Sequence, residues 1–404
     1  MKTLRTLRPA AAAALVIALA APAAPVVAAP AQVPSGPTTP VAASSAQRAA
    51  AGVLLPGPTG PSAVGRSTLH LVDRGRPDLW VPDRPRELMV DLYYPARSAA
   101  GPPTRYADPR EARLLVEAAG VRDAATVAKL SATRAHGVGG ARPERGRHPL
   151  VLLSPGFGGP AYSLTTLAED LASRGFVVAA VDHAYESVGT LFPGGRVLTC
   201  VACDKVETVE DLRRATVNRA QDLSFVLDRL TGPRPAWPYA SLIDRERTGA
   251  AGHSLGGAAA ASVMAHDDRV RAGINMDGAF GDPVPADGLG GRPFMMLGTQ
   301  EDIHLPGGED ATWDAAWRNL DGWKRWLSVA GTHHLTFSDV PVLFDQLNLP
   351  YPGTPPTIAA GRAIDLTRAY TAAFFDLHLR HRPQPLLDGP TPDHPEVRFT
   401  HHER

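Results

Sequence analysis

Two cysteines are all that the 404 residues contain, and they stand three apart, Cys200 and Cys203. So few exclude a scaffold built on a disulfide framework, and with no second C-x-x-C there is nothing to complete half a zinc site. Charge of one sign is also missing. Lys and Arg total 41 and Asp and Glu total 41, and no basic run or stripe stands out. Nucleic acid is therefore not an expected partner. Long apolar runs are scarce. The longest, Ala10 to Ala21, is dominated by alanine and followed by Pro22 and Pro25, so a membrane span is the weaker reading. No cysteine follows it that would carry a lipid anchor, and no internal repeat is visible.

What is present fits a large folded domain. Hydrophobic residues make up 44% and charged residues 20%, enough for a sizeable core. Lys2, Arg5 and Arg8, the apolar run, and the small residues around Val27-Ala28-Ala29-Pro30-Ala31 read as a signal peptide over residues 1–31. Its removal leaves a formal net charge of −3. Residues 32–65 are rich in Pro, Ala, Gly and Ser without periodicity and read as a disordered linker. In a secreted chain, Cys200 and Cys203 are expected to form a small local disulfide that pins a surface loop.

The stretch Gly252-His253-Ser254-Leu255-Gly256 matches G-x-S-x-G. In α/β-hydrolases this pattern makes the sharp strand-to-helix turn that presents a nucleophilic serine. Ser254 must take a strained backbone at the tip, and the flanking glycines leave room where strand and helix nearly touch. The flanks agree: Thr248 to Gly252 is a short run of small residues, and Leu255 to Ala265 is rich in alanine.

The rest of the chain alternates strand and helix signals. Ser67–Asp73 and Glu87–Pro95 read as an antiparallel start, and Asp108 to Leu130 as an interrupted peripheral helix. His148–Ser154, the helix Tyr162–Arg174 and the strand Phe176–Val181 form a strand–helix–strand unit, which implies a parallel sheet. Asp182-His183-Ala184-Tyr185-Glu186-Ser187 follows, on the edge where open α/β sheets bind ligands. His183 is expected to line the site and is a weaker candidate base. Val206–Leu230 is a long amphipathic helix. Further strands are expected at Val270–Asp277, Arg292–Gly298 and, last in the sheet, Arg325–Ala330, with a closing helix over Gly361–Leu379. Trp313, Trp317, Trp323 and Trp326 cluster at near-helical spacing, a pattern of core packing or of an apolar wall. The catalytic domain is expected over 66–385, with a loose Pro-rich tail over 386–404.

A serine hydroxyl needs a base in contact with it and a third group to orient that base. In this fold the chain order is Ser, acid, His. Of the later histidines, His304, His333 and His334 follow strands, and the His333-His334 pair follows the last one. Spacing does not choose within the pair. Asp277, Asp302 and its neighbour Glu301 compete for the acid. The oxyanion hole is expected from the backbone N–H of Leu255, plus one from the glycine-rich turn Pro155-Gly156-Phe157-Gly158-Gly159, with Phe157 the best placed.

Longer segments carry a resemblance. Leu92-Tyr-Tyr-Pro95, Asp170 to His183, Ile243 to Gly257, Gly273-Ile-Asn-Met-Asp277 and Gly331 to Asp339 occur in this order. Together they resemble the plasma and type II platelet-activating-factor acetylhydrolases, with their bacterial lipase-like and polyester-hydrolase-like relatives. The resemblance spans about Leu92 to Val342. It implies an α/β-hydrolase fold, with a mostly parallel central sheet, an antiparallel N-terminal start and helices on both faces. It implies Asp277 as the acid and His334, in a Gly-x-x-His pattern, as the base. It also implies Phe157 as the second oxyanion donor, and no metal or cofactor. One departure is plain: relatives usually carry His-Gly before the oxyanion residue, where this chain has Ser154-Pro155-Gly156.

These readings converge on a secreted serine esterase acting through Ser254, His334 and Asp277. Short-chain acyl esters or acetyl-type phospholipid esters are the leading substrates. A polyester depolymerase is the alternative; an amidase or a silent binding protein ranks lower. Expected partners are an ester or lipid substrate and transiently a lipid surface, with the chain acting as a monomer.

Overall fold

The computed structural model describes residues 51–403; the expected signal peptide and the first part of the expected linker lie outside the described residues. The chain begins with strands β1 (Ala63–Pro77), β2 (Pro85–Ala96) and β3 (Pro103–Arg105). Helices α1 (Pro109–Ala118) and α2 (Ala124–Ala132) follow, then β4 (Arg134–Gly139) and β5 (His148–Ser154). Next come α3 (Thr165–Ser173), β6 (Val177–His183), the short hairpin β7 (Thr190–Phe192) and β8 (Arg196–Leu198), and the long helix α4 (Val209–Thr231). The second half is β9 (Ile243–His253), α5 (Leu255–His266), β10 (Val270–Met276), β11 (Phe294–Thr299), α6 (Ala311–Asn319), β12 (Lys324–Val329), α7 (Val340–Leu347), α8 (Ala360–Arg380) and β13 (Val397–Glu403).

Eleven strands form one sheet in the order β13-β12-β11-β10-β9-β5-β6-β2-β1-β4-β3. The run from β12 through β6 is parallel. The N-terminal pair β1–β2 is antiparallel, and β2 joins β6 antiparallel. Strand pleating explains why the parallel strands read as unbroken apolar runs, since both faces are covered. Leu150 and Leu152 of β5 face a core with α4, α5 and α6, while Val151 and Leu153 face a second core with α3 and α8. This is the α/β-hydrolase architecture that the sequence implied.

Both ends of the domain differ from expectation. Residues 51–62 are docked, with Val53 and Leu55 buried against α1, α2 and α7. Arg368 donates to the carbonyls of Pro56 and Gly57, and Gly60 N–H to Ser173 Oγ. Two apolar side chains and satisfied carbonyls are enough to order a segment whose composition reads as linker. The tail is docked as well. Leu387 is buried, and β13 pairs antiparallel with β12, placing Val397 on the core. Thus β12 is not the last strand; Val397 and Phe399 supply the apolar alternation that the Pro-rich lead-in obscures. The tryptophan run also divides: Trp313 and Trp317 lie on α6 and Trp326 on β12, all buried in one core cluster.

Candidate active site

The parallel strands end on one edge, and the loops leaving them converge there. Ser254 lies between β9 and α5 at φ 54° and ψ −124°, a conformation that costs a non-glycine residue energy and persists only when its surroundings enforce it. Here the Ser254 N–H donates to Met276 O at 2.8 Å, and the Ser254 carbonyl accepts from Gly257 and Ala258 at 2.8 and 3.1 Å. The two motif glycines are sterically required. A Cβ on Gly252 would come within 2.3 Å of Gly256 C, and one on Gly256 within 2.0 Å of the Ser154 carbonyl oxygen.

Asp277 follows β10, also at positive φ (59°). Asn275 braces that turn, accepting from Gly278 N–H at 2.9 Å and donating to Gly278 O at 2.7 Å. His334 opens a short 3-10 turn after β12. Its Nδ1 lies 2.6 Å from Asp277 Oδ2 and its Nε2 3.0 Å from Ser254 Oγ. His333 instead caps that turn, accepting from Leu335 N–H. So His334, and not its neighbour, lies between serine and aspartate. Asp277 is buried, which opposes its ionisation. The charge and hydrogen bond of His304, and the bond from His334, outweigh that and hold it well below the usual carboxylate range.

Leu255 and Phe157 stand at the same end. Leu255 opens α5, where the first backbone N–H groups have no partner within the helix. Both side chains belong to one apolar cluster with Trp80, Tyr185 and Leu212. The Phe157 turn is fastened to the loop after β6: Gly158 N–H donates to Glu186 O and Val188 N–H to Gly158 O, each at 2.9 Å. Cys200 and Cys203 lie in that loop region with their sulfurs 2.10 Å apart.

Two histidines beside the site have roles that pattern alone did not reveal. His253, the residue before the serine, donates from Nε2 to His334 O at 2.7 Å. Burial, and then the neighbouring His334, push it down to about 3, so it is a neutral strut. Its other nitrogen lies so close to Gly156 that a Cβ there would be 2.8 Å away; the ring thus joins the base loop to the turn carrying Phe157. His304 places Nδ1 2.9 Å from Asp277 Oδ1. The signal for His304 was its position after a strand; the signal for His253 was its place inside the motif. Of the rival acids, Glu301 is exposed, and the Asp302 side chain lies outside the described residues.

Beneath the Phe157 turn runs a second, sealed relay. Ser154 Oγ lies 2.9 Å from His183 Nε2, and His183 Nδ1 lies 2.7 Å from Asp222 Oδ2. All three are buried. Arg86 bonds both Asp222 and Glu186, Arg219 bonds Glu186, and Arg219 also donates to the Pro155 carbonyl. Burial opposes the Asp222 charge, but Arg86 and the His183 bond overcome it, so Asp222 stays ionised. Burial and Arg219 lower His183, so it stays neutral. Ser154 is thereby tied to a polar network of its own. His183 therefore belongs beneath the Phe157 turn, bonded to Ser154 and Asp222 and not to Ser254.

Four similarities bear on this arrangement. Residues 50–192 match the family described as platelet-activating factor acetylhydrolase, isoform II. The chain is similar to a probable 1-alkyl-2-acetylglycerophosphocholine esterase of Arthroderma benhamiae, 28% identical over 86% of this chain and 93% of that protein. It is also similar to the platelet-activating factor acetylhydrolase of Bos taurus, 30% identical over 32% of this chain and 35% of that protein. Among solved structures, a ferulic acid esterase from Streptomyces cinnamoneus is 45% identical with a TM-score of 0.75, covering 87% of this chain and 99% of that one.

Proposed function

Because the chain belongs to the platelet-activating-factor acetylhydrolase-like family of α/β-hydrolases and is a carboxylic ester hydrolase, we propose that it is a secreted serine esterase whose nucleophile, base and acid are Ser254, His334 and Asp277. The observation that carries this reading is the continuous hydrogen-bonded chain from Ser254 Oγ through His334 to Asp277, 3.0 and 2.6 Å long. Ser254 Oγ attacks the ester carbonyl while His334 Nε2 takes its proton. Asp277 accepts from Nδ1 and stabilises the imidazolium that forms. The backbone N–H groups of Leu255 and Phe157 receive the oxyanion. Collapse expels the alcohol, which takes the proton back from His334 and leaves an acyl-enzyme. His334 then deprotonates a water that releases the acid and frees Ser254. Labelling of the secreted protein by a fluorophosphonate, abolished in Ser254→Ala, is the direct test; undiminished labelling or ester hydrolysis in the variant would refute the reading.

Short acyl esters, including acetyl-type phospholipid esters, are the first substrate class. A second, aromatic acyl esters, is favoured by the half-buried rings of Phe157 and Tyr185, which belong to one apolar cluster with Leu255, and by a neighbour named as a ferulic acid esterase. An ester chain-length series run beside methyl ferulate and a polyester film separates these from each other and from a depolymerase. Secretion rests on the leader expected at residues 1–31 and on the paired cysteines. A secreted protein that kept its first 31 residues, or carried two free thiols, would contradict it.

A further inference from the structure

Asp277 holds two imidazoles. Its Oδ2 takes His334; its Oδ1 takes His304 Nδ1 at 2.9 Å and the Thr299 N–H at 2.8 Å. The far nitrogen of His304, Nε2, lies 3.2 Å from Asp310 Oδ2. A neutral imidazole carries one N–H, whereas here both ring nitrogens face carboxylate oxygens, which only accept. Charge is balanced when both nitrogens are protonated, as an imidazolium hydrogen-bonded to Asp277 and ion-paired with Asp310. The ring is held in that slot. It stacks on Trp313, with centroids 4.6 Å apart and planes 18° apart, and Trp313 Nε1 in turn donates to Gly278 O in the Asp277 turn. Trp326 Nε1 donates to the His304 carbonyl. Among the described residues, the charged groups that face it are Asp277 on the β10 loop and Asp310 at the start of α6; the rings of Trp313 and Trp326 beside it are uncharged.

We propose that His304 is a positioning residue that fixes the triad carboxylate and, by placing a positive charge against its far oxygen, extends activity to lower pH. This rests on the Ser254–His334–Asp277 reading. Burial lowers the His304 proton affinity, but Asp277 and then Asp310 overcome it and push the group up to about 9, in agreement with the charge state that the geometry demands.

The test is the acid limb of the kcat/KM profile, read with a soluble aryl ester and normalised to sites titrated by fluorophosphonate. Asp310→Asn keeps a good helix-capping residue and removes the carboxylate that demands the second proton. His304→Gln removes the charge outright. Both should move the acid limb upward by about one pH unit, a modest fraction of what a directly contacting charge exerts. A structural role alone would lower the titrated fraction or the melting temperature and leave the limb in place. An acid limb that stays put, or moves down, in Asp310→Asn overturns the proposal even if His304→Gln does not fold. Ser254→Ala, run alongside, separates the two levels: activity there defeats the triad reading itself, whereas an inactive Ser254→Ala with an unmoved limb defeats only the role of His304.

Discussion

The chain contains two Ser–His–Asp relays with nearly the same bond lengths and opposite settings. In the open one, Ser254, His334 and Asp277 are joined at 3.0 and 2.6 Å; in the sealed one, Ser154, His183 and Asp222 are joined at 2.9 and 2.7 Å. Hydrogen bonding does not distinguish them. Presentation does. Ser254 sits on a strained turn at the mouth of a helix, partly exposed, with His334 on a loop at its side. Ser154 ends an extended strand, fully buried, with Arg219 close to its hydroxyl. An ester has no approach to it. The electrostatics differ too. The sealed histidine is neutralised by burial and by Arg219, whereas the open one lies beside a carboxylate already shared with a second imidazole. A relay becomes a nucleophile only where the backbone turns the serine outward and N–H donors await the oxyanion; elsewhere the same bonds brace a turn.

The largest effect should separate the relays at once. Ser254→Ala is expected to lower kcat by roughly 10⁴-fold or more without unfolding the protein. Ser154→Ala should stay within about tenfold of wild type, since it alters only the support of an oxyanion donor. Were Ser154→Ala the inactive variant, the roles assigned to the two relays would be reversed.

The two acids should differ in kind. Asp277→Asn should cost about 10⁴-fold in kcat, because the asparagine favours the wrong tautomer of the base. Asp222→Asn should instead destabilise the fold by about 1–3 kcal/mol, since it removes one of the three buried carboxylates paired with Arg86 and the partner of His183. Urea unfolding paired with turnover of p-nitrophenyl acetate reads both. Equal activity losses with unchanged stability would erase the distinction.

Stability should fall on both sides of neutral pH, and for different regions. His183 and His253 are held neutral by burial, His253 at about 3. The unfolded chain binds more protons there, so their contribution is present above about pH 6.5 and is lost as pH falls. His304, raised to about 9, behaves in the opposite sense: its contribution is present below about 6.5 and is lost as pH rises through 9. His304→Gln should therefore flatten the alkaline decline in melting temperature and leave the acid decline. A variant that kept the wild-type alkaline decline would show that His304 does not carry that charge.

The smallest effect expected is on the stability of Ser154→Ala. One buried hydrogen bond to His183 is removed, at a cost of about 1–2 kcal/mol. A loss several times larger would mean that the sealed relay supports more than the turn above it.

Much of the framework was legible along the chain. The alternation of apolar runs with amphipathic stretches placed strands β5, β6, β10 and β11 and helices α4 and α8, because a parallel sheet covered on both faces writes itself as unbroken Val, Leu and Ile. The elbow was legible because only glycine fits where strand and helix touch. The ends were not. Residues 51–62 and β13 are ordered by a few apolar side chains and by partners such as Arg368 and β12, far away in sequence. Composition, which averages over neighbours, has no access to those.

What the sequence by itself determined is the strand–turn–helix around Ser254 and the supply of histidines and acids downstream of it. Steric necessity at two glycines and a fixed chain order leave few alternatives for that much. Spacing left His333 and His334 open and a resemblance pointed to His334; tertiary structure set that ring against Ser254 and set His304 on the far oxygen of Asp277. It also sealed His183 and Asp222 beneath the Phe157 turn. Those outcomes depend on which loop tips meet across the end of the sheet, and on which charges lose their water when they do. Distance and desolvation belong to the folded molecule, and no spacing along the chain encodes them.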